Sequence, residues 1–185
     1  MRKIDPTTIE LETGRPALHA GLDGTVALGK FEGSDVAIKR FAIRNSQSVV
    51  RFEKESKVLE IESLRKIVRP IGIVRTPPHY WLVLPYFPLG DLAKFSMDNN
   101  RISLSLALCL CLDTAEALLS VHEAGLVFRD FKSGNVLIDA QFRARLTDFG
   151  SVQDLVKGIE KEQNEMGPSG GFHKRKLILR VRRHR

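Results

Sequence analysis

The sequence predicts an α+β fold in which a small β-rich lobe precedes a mainly helical part. Alternating segments broken by glycine occupy residues 7–43, and short apolar runs occupy 71–84, both typical of strands. Between them, residues 46–66 space their apolar side chains as on one face of a helix. A linker at 85–90 separates these elements from a long apolar stretch at 102–125. The pattern therefore predicts a sheet with one helix, then a hinge, then helices.

The strands of the small lobe are predicted from alternation and turn residues. A Thr-Pro-Pro turn signal at 76–78 separates the last two of them. The five predicted strands are 8–11, 19–26, 35–41, 71–74 and 80–84.

Residues 102–112 fit two kinds of structure. Leucines at every second position have the period of a strand, yet the apolar character continues as far as Val121. That length favours one buried helix that ends at Gly125. Before it, Asp91 suits the N-cap of a short helix that ends near residues 99–100. After it, residues 136–138 and 144–146 read as two short strands on either side of a turn.

Composition and charge limit the function classes. The chain has 185 residues, 43% apolar and 28% charged, enough for one domain with a sizeable core. No apolar run is expected to reach the ~20 residues of a membrane span, and the N-terminus does not read as a secretory signal. Cys109 and Cys111 lie in an apolar segment, so we expect reduced core thiols in an intracellular, cytoplasmic protein.

The basic charge is confined to the C-terminal end. The net charge is +7, and residues 174–185 contain seven Lys and Arg side chains and no acid. This block predicts a solvated, disordered tail over 154–185, and a nuclear address is an alternative. A nucleic-acid-binding protein built on the tail is a further hypothesis. Aromatic residues do not interleave with the charges, so nucleic-acid binding is not predicted.

Two motifs in the second half of the chain carry the chemistry. Residues 128–135 read Phe-Arg-Asp-Phe-Lys-Ser-Gly-Asn, and residues 147–150 read Thr-Asp-Phe-Gly. A Val-Ala-Ile-Lys sequence that ends at Lys39 precedes them. This set, in this order, resembles the protein kinase family over about residues 7–150. The resemblance implies a protein-kinase-like fold, ATP and Mg²⁺ as ligands, and transfer of the γ-phosphate to Ser or Thr of a protein substrate.

The resemblance implies specific roles for four polar residues after the hinge. Asp130 would orient the substrate hydroxyl and accept its proton, and Lys132 would steady the transferred phosphate. A lysine at this position resembles Ser/Thr kinases. Asn135 and Asp148 would hold Mg²⁺ through hard oxygen ligands. Taken alone, each of the four would be an ordinary polar turn residue.

The small lobe supplies a lysine and a glutamate in the same pattern. Lys39 would reach the α- and β-phosphates, and Ala37, on the same face of the strand, would lie against adenine. Glu55 resembles the helix glutamate that pairs with this lysine, and Leu59 follows one turn later. On their own, Lys39 could be an exposed edge-strand lysine and Glu55 one of several surface acids.

The nucleotide-binding residues are carried over from the same resemblance. His19 stands where the glycine loop of the family has its first glycine. Without the other motifs, the two remaining glycines would read as a hairpin turn. Leu84 takes the gatekeeper place, the Pro85 carbonyl can accept from adenine, and the Phe87 amide can donate. The set is Gly21, Gly24, Val26, Ala37, Lys39, Leu84, Pro85, Phe87, Asp91 (at the ribose) and Leu137.

The sequence also departs from the family pattern. Phe128 replaces a histidine that packs in the core, and no Ala-Pro-Glu or long helices follow Gly150. We therefore expect a truncated kinase-like domain over 7–153, with the N-lobe at 7–84, the hinge at 85–90 and an incomplete helical C-lobe at 91–153. The apolar helix would then lose its partner.

Two functions follow from these observations. Retention of Lys39, Asp130, Asn135 and Asp148 favours an active Ser/Thr-type kinase. The missing substrate lobe favours the alternative, a catalytically impaired, ATP-binding, pseudokinase-like fragment or scaffold.

Overall fold

The computed structural model describes residues 1–12, 14, 16–21, 24–98 and 102–155, so most of the predicted tail lies outside the described residues. The α+β prediction is confirmed. The main sheet has six strands: β1 (Ile9–Leu11), β2 (His19–Gly21), β3 (Gly24–Phe31), β4 (Ser34–Phe41), β5 (Gly72–Thr76) and β6 (His79–Pro85). The helices are α1 (Ser46–Leu59), α2 (Leu92–Asp98) and α3 (Leu104–Glu123). Four short strands follow: β7 (Leu126–Val127), β8 (Val136–Ile138), β9 (Ala144–Leu146) and β10 (Gln153–Asp154).

The main sheet is antiparallel, with the strand order β1-β3-β4-β6-β5 and β2 also paired with β3. Strands β8 and β9 form the predicted hairpin. The pairing of β7 with β10 was not predicted, because two-residue strands leave no alternation in the sequence.

The first residues of the chain cover the outer face of the main sheet. The Ile4 amide donates to the carbonyl of Ile73 at 2.9 Å, and Ile4 packs with the buried Trp81. Gly72 permits this contact, since a Cβ there would lie 2.7 Å from the carbonyl oxygen of Arg2. This outer core packs on one face of strands β3, β4, β5 and β6. The opposite face of this part of the sheet borders the cavity.

Helix α1 begins where the sequence indicates and ends earlier. Asn45 is the N-cap, and its side chain accepts from the amide of Ser48 at 3.1 Å. The helix stops at Leu59 instead of continuing to 66, and the chain turns so that Leu64 still reaches the core. Val50, which the sequence placed among the apolar positions, is 57% exposed.

Residues 104–123 form a helix, as the length of the apolar stretch indicated, but only one side of it is buried. The buried positions follow a helical stripe through Leu110, Asp113, Ala117 and Val121. On the opposite side four leucines are exposed among the described residues: Leu104, Leu108, Leu112 and Leu119.

The prediction of buried cysteines was wrong. Cys109 and Cys111 are exposed free thiols. At 100° per residue Cys109 falls at the edge of the buried side of α3, and Cys111 falls on the exposed side.

By length and composition alone, α3 could cross a membrane, with a mean hydropathy of 1.8, which the sequence analysis did not anticipate. Among the described helices it alone passes this test. The core helices of globular domains pass it as well, so the finding is weak evidence for a span. Asp113 on its buried side forms ion pairs within the fold.

Asp113 ties α3 to the hairpin of β8 and β9. Its carboxylate is 1% exposed and accepts from Arg143 Nε at 2.7 Å and from the Ala144 amide at 3.1 Å. Lys66 lies 3.1 Å away, on the segment that enters β5. Hydrogen bonds from Arg143 outweigh the effect of burial, and with Lys66 and the Ala144 amide they hold the pKa of Asp113 well below its ordinary value.

We expect Asp113→Asn to destabilise the fold by about 3 kcal/mol, because it leaves Arg143 and Lys66 without their shared anion. Urea unfolding of the variant and of the exposed control Asp98→Asn measures this, and the control should stay within about 0.5 kcal/mol of wild type. Since the folded-state pKa of Asp113 is depressed, its contribution is full above about pH 4 and falls as the pH drops below the unfolded value. Equal midpoints for the two variants would contradict the assignment.

Candidate active site

A cavity of about 320 Å³ lies between the inner face of the main sheet and the elements that follow the hinge. The main sheet supplies its roof through β2, β3 and β4, and α1 contributes its back wall. The segments around β8 and β9 supply its floor. The structure places these predicted site residues on its walls: Val26, Ala37, Lys39, Glu55, Leu84, Pro85, Phe87, Asp91, Lys132, Asn135, Leu137 and Asp148.

Lys39 lies at the centre of an ion triad at the back of the cavity. Its Nζ donates to Glu55 Oε1 at 2.7 Å and Oε2 at 2.9 Å, and to Asp148 Oδ1 at 2.8 Å. The three residues come from β4, from α1 and from the turn after β9. One ammonium therefore joins three elements that are distant in the sequence.

Electrostatics keep the Lys39 ammonium charged. Burial alone would lower its pKa, but the carboxylates of Glu55 and Asp148 outweigh burial and raise the pKa above its ordinary value. Glu55 is 3% exposed, so this charge has little contact with water. A fixed cation in a partly dry cavity is suited to binding an anion.

The turn after β9 holds Asp148 toward the cavity. Asp148 takes a left-handed backbone conformation, with φ 63°, and the preceding Thr147 amide donates to the Asn135 carbonyl at 2.9 Å. Phe149 is buried and meets the ring of Phe128 edge to face, at 5.3 Å between centroids. Phe128 is 6% exposed, so its ring is buried at the position where the family pattern has a core histidine.

A second charged cluster lies on the loop between β7 and β8. Lys132 Nζ donates to Asp130 Oδ2 at 2.6 Å. The Asn135 side-chain amide donates to the Asp130 carbonyl at 2.8 Å and to its carboxylate at 3.2 Å. The hydrogen bond from Lys132, ahead of the one from Asn135, holds the pKa of Asp130 below its ordinary value. Asp130 is therefore ionised near neutral pH and its carboxylate is oriented from two sides.

The glycine pair closes the hairpin above the cavity. Gly21 and Gly24 face each other across β2 and β3. Gly24 has φ 145°, and a Cβ there would lie 1.9 Å from the carbonyl oxygen of Arg40, so only glycine fits. Gly24 is not among the described residues that line the cavity, and residues 22–23 lie outside the described residues. A phosphate-binding role for this loop stays a prediction.

The hinge is fastened to the floor of the cavity. Asp91 caps α2 as predicted, since its side chain accepts from the Lys94 amide at 2.9 Å. Its backbone bridges to Leu137, and the Ile138 amide donates to the Gly90 carbonyl at 2.9 Å. These contacts hold Pro85 and Phe87 on the same cavity as Leu137. The adenine and ribose contacts assigned to these residues stay predictions.

The polar residues of the floor fit Mg²⁺ that arrives with a phosphate ligand. Within the described residues, no three His, Cys, Asp or Glu side chains form a metal cluster on their own. Asn135 and Asp148 nonetheless line one cavity and offer an amide and a carboxylate. Mg²⁺ typically takes one or two carboxylates and completes its shell with phosphate oxygens and water. The pair therefore fits the ion in the presence of nucleotide.

Comparison with known proteins agrees with this geometry. The family model of the protein kinase domain matches residues 17–169. This chain belongs to the protein kinase family. The match covers both ion clusters and the hinge between them.

The similar curated proteins include receptor-like and Ser/Thr kinases. An L-type lectin-domain containing receptor kinase V.5 of Arabidopsis thaliana is 31% identical over 163 residues, which cover 84% of this chain and 25% of the relative. The serine/threonine-protein kinase shk1/pak1 of Schizosaccharomyces pombe is 30% identical over 149 residues, which cover 80% of this chain and 22% of the relative. The chain thus spans about a quarter of the length of these relatives.

Sequence reasoning missed several residues of the cavity. Leu18 and Lys94 line it, and so do His19, noted only as a replaced glycine, and Thr147. Leu18 and His19 lie within three residues of Gly21, and Thr147 directly precedes Asp148, so position near a recognised motif was the available signal. Lys94 carries no such signal, because it enters the cavity only through the orientation of α2.

We expect Lys39→Met to destabilise the kinase domain by about 3 kcal/mol, because the buried Glu55 carboxylate loses its cation. The double variant Lys39→Met/Glu55→Gln should recover part of that loss, since the buried side chain at 55 is then neutral. Chemical denaturation of the wild type, both single variants and the double variant measures the coupling. Additive effects of the two single substitutions would show that the contact carries no net interaction.

Proposed function

We propose that this chain is an ATP-dependent protein kinase that transfers the γ-phosphate of Mg-ATP to a Ser or Thr hydroxyl of a protein. The observation that carries the proposal is the ion triad of Lys39, Glu55 and Asp148, which faces the same cavity as Lys132 and Asn135. One end of the cavity therefore offers both a cation that can bind phosphate and oxygen atoms that can bind a metal ion.

The other end of the cavity suits an adenine ring. Four apolar side chains form the walls of this end of the cavity, next to the hinge: Val26, Ala37, Leu84 and Leu137. Nucleotide sites combine such apolar surfaces with a few fixed polar groups. ATP would thus lie with its base at the hinge and its phosphates toward Lys39.

Positioning and electrostatics carry most of phosphoryl transfer, and the residues of this cavity supply both. Lys39 would hold the phosphate chain, and its tie to Glu55 fixes where the ammonium sits. Asp130 would orient the acceptor hydroxyl and take its proton, while Lys132 would move from Asp130 to the transferred phosphate. When bound, Mg²⁺ would neutralise phosphate charge, and Asn135 with Asp148 would hold it.

The residue at 132 supports Ser or Thr as the acceptor, because a lysine there resembles the catalytic loop of Ser/Thr kinases. The relative from Schizosaccharomyces pombe is named a serine/threonine-protein kinase, in agreement with this choice. The two free thiols on α3 support a reducing, intracellular setting as part of the proposal.

A second candidate is an ATP-binding module without transferase activity. It is favoured by the exposed leucines of α3, which give the described residues an apolar surface suited to a partner. Such a module would bind Mg-ATP through the same cavity and phosphorylate no peptide.

We expect Mg-ATP at about 100 times its Kd to raise the unfolding free energy by about 2.7 kcal/mol, since the ligand binds only the folded state. Thermal unfolding with and without Mg-ATP measures the shift, and Asp148→Ala should reduce it. Arg145→Ala, which alters a neighbouring ion pair outside the cavity, is the matched control and should keep the shift. A wild-type protein that unfolds identically with and without Mg-ATP would contradict the proposal.

We expect Asp130→Asn to lower the rate of phosphate transfer by about 10²- to 10⁴-fold, because the amide cannot accept the hydroxyl proton. Transfer of radiolabelled phosphate to a library of Ser- and Thr-containing peptides measures the rate. The thermal shift with Mg-ATP should persist in this variant. Binding without transfer in the wild type would select the ATP-binding module over the kinase.

A further inference from the structure

His19 replaces a glycine of the family pattern, and the register of the sheet directs its side chain to the cavity. His19 is the cross-strand partner of Val26, Val26 of Lys39, and Lys39 of Leu82. Directly opposed residues of antiparallel strands project from the same face of a sheet. All four side chains line the cavity, which agrees with this register.

The same row joins His19 to the lysine of the ion triad through Val26, which lies between them on β3. Along β4, Ala37 is opposite Leu84 near the hinge, whereas Lys39 lies one row deeper. His19 belongs to the row of Lys39, two strands away, which corresponds to about 10 Å between Cα atoms. Lysine and imidazole side chains can both reach a ligand held beneath that row.

We infer that His19 donates a hydrogen bond to the phosphate chain of the bound nucleotide, an inference that rests on the proposed function. Its imidazole is exposed and makes no hydrogen bond to another described residue. An imidazole always carries at least one N–H, and a hydrogen bond to a phosphate oxygen is charge-assisted. Glycine at this position would offer no side-chain donor, so the chain has a polar contact above the phosphates that the family pattern lacks.

The charges around the cavity are compatible with an added donor. Lys39 is already shared between Glu55 and Asp148, and Lys132 is paired with Asp130. Both lysines must therefore divide their attraction between carboxylates and an incoming phosphate. A donor on β2 would approach the phosphates from the roof. Among the described residues of β2, β3 and β4 that line the cavity, none carries a carboxylate.

The test distinguishes the loss of a hydrogen bond from a change in side-chain size and from a loss of folded protein. Titration calorimetry of the full chain gives the Kd for Mg-ATP and for adenosine, which lacks phosphates. We expect His19→Gly and His19→Leu to weaken Mg-ATP about tenfold, the cost of one hydrogen bond to a charged group. His19→Gln keeps an N–H and should stay within about threefold of wild type. Adenosine should bind all four proteins within about twofold.

The outcomes distinguish the two proposals. If the wild type binds Mg-ATP and His19→Gly binds it equally well, the role of His19 is refuted and the kinase proposal stands. If His19→Leu binds Mg-ATP as tightly as the wild type does, the side chain acts through its size and the hydrogen bond is refuted. If the variants lose affinity for adenosine as much as for Mg-ATP, the side chain acts through the fold and the hydrogen bond is again refuted. If the wild type binds neither ligand, the proposed function fails, and the inference fails with it. Thermal unfolding midpoints of the variants check that each is folded.

Discussion

The ammonium of Lys39 is the interaction on which the site depends. It accepts no hydrogen bonds and offers three N–H donors, and carboxylates from α1 and from the turn after β9 take them. Without that ammonium, Glu55 would be a buried anion, and Asp148 would lose the salt bridge that holds it against the sheet. The position of α1 against β4, and that of the floor against the roof, are therefore both set by one charge.

Asp113 performs a similar task on the other side of the hairpin. Its carboxylate binds Arg143 and the Ala144 amide at the start of β9, four residues before Asp148. Because β9 is only three residues long, its own ladder with β8 cannot fix the hairpin strongly. A buried ion pair adds directionality where an apolar contact would permit sliding. The two carboxylates thus hold the two ends of one short strand.

The parts of the fold that sequence could predict are those with a local signal. Alternation predicted most strands of the main sheet, Asp91 the start of α2, and the length of the apolar stretch α3. The predicted strand 19–26 was wrong, because that segment contains all of β2 and only the first residues of β3. Pairing of β7 with β10 depends on tertiary position alone, and so does the early end of α1. Cys109 and Cys111 were misplaced because an apolar environment in sequence does not say which face of a helix meets the core.

The residues of the candidate site also divide into those with a local signal in the sequence and those placed only by the fold. Lys39, Asp130, Asn135 and Asp148 stand in motifs whose order is informative, and the structure brings them to one cavity or its edge. Lys94 reaches that cavity only through the fold, and no spacing in the sequence marks it. Glu55 is an intermediate case, because Glu53 shares its helix and only the direction of the buried face selects Glu55.

The exposed side of α3 bears on how the floor of the cavity is supported. The buried stripe of this helix carries Asp113 and packs beneath β9, while Leu108 and Leu112 point away from it. Any ligand or chain that covers those leucines would stabilise α3, and through Asp113 it would stabilise the hairpin that presents Asn135 and Asp148. Asp113 therefore links the buried side of α3 to the hairpin whose ends carry Asn135 and Asp148.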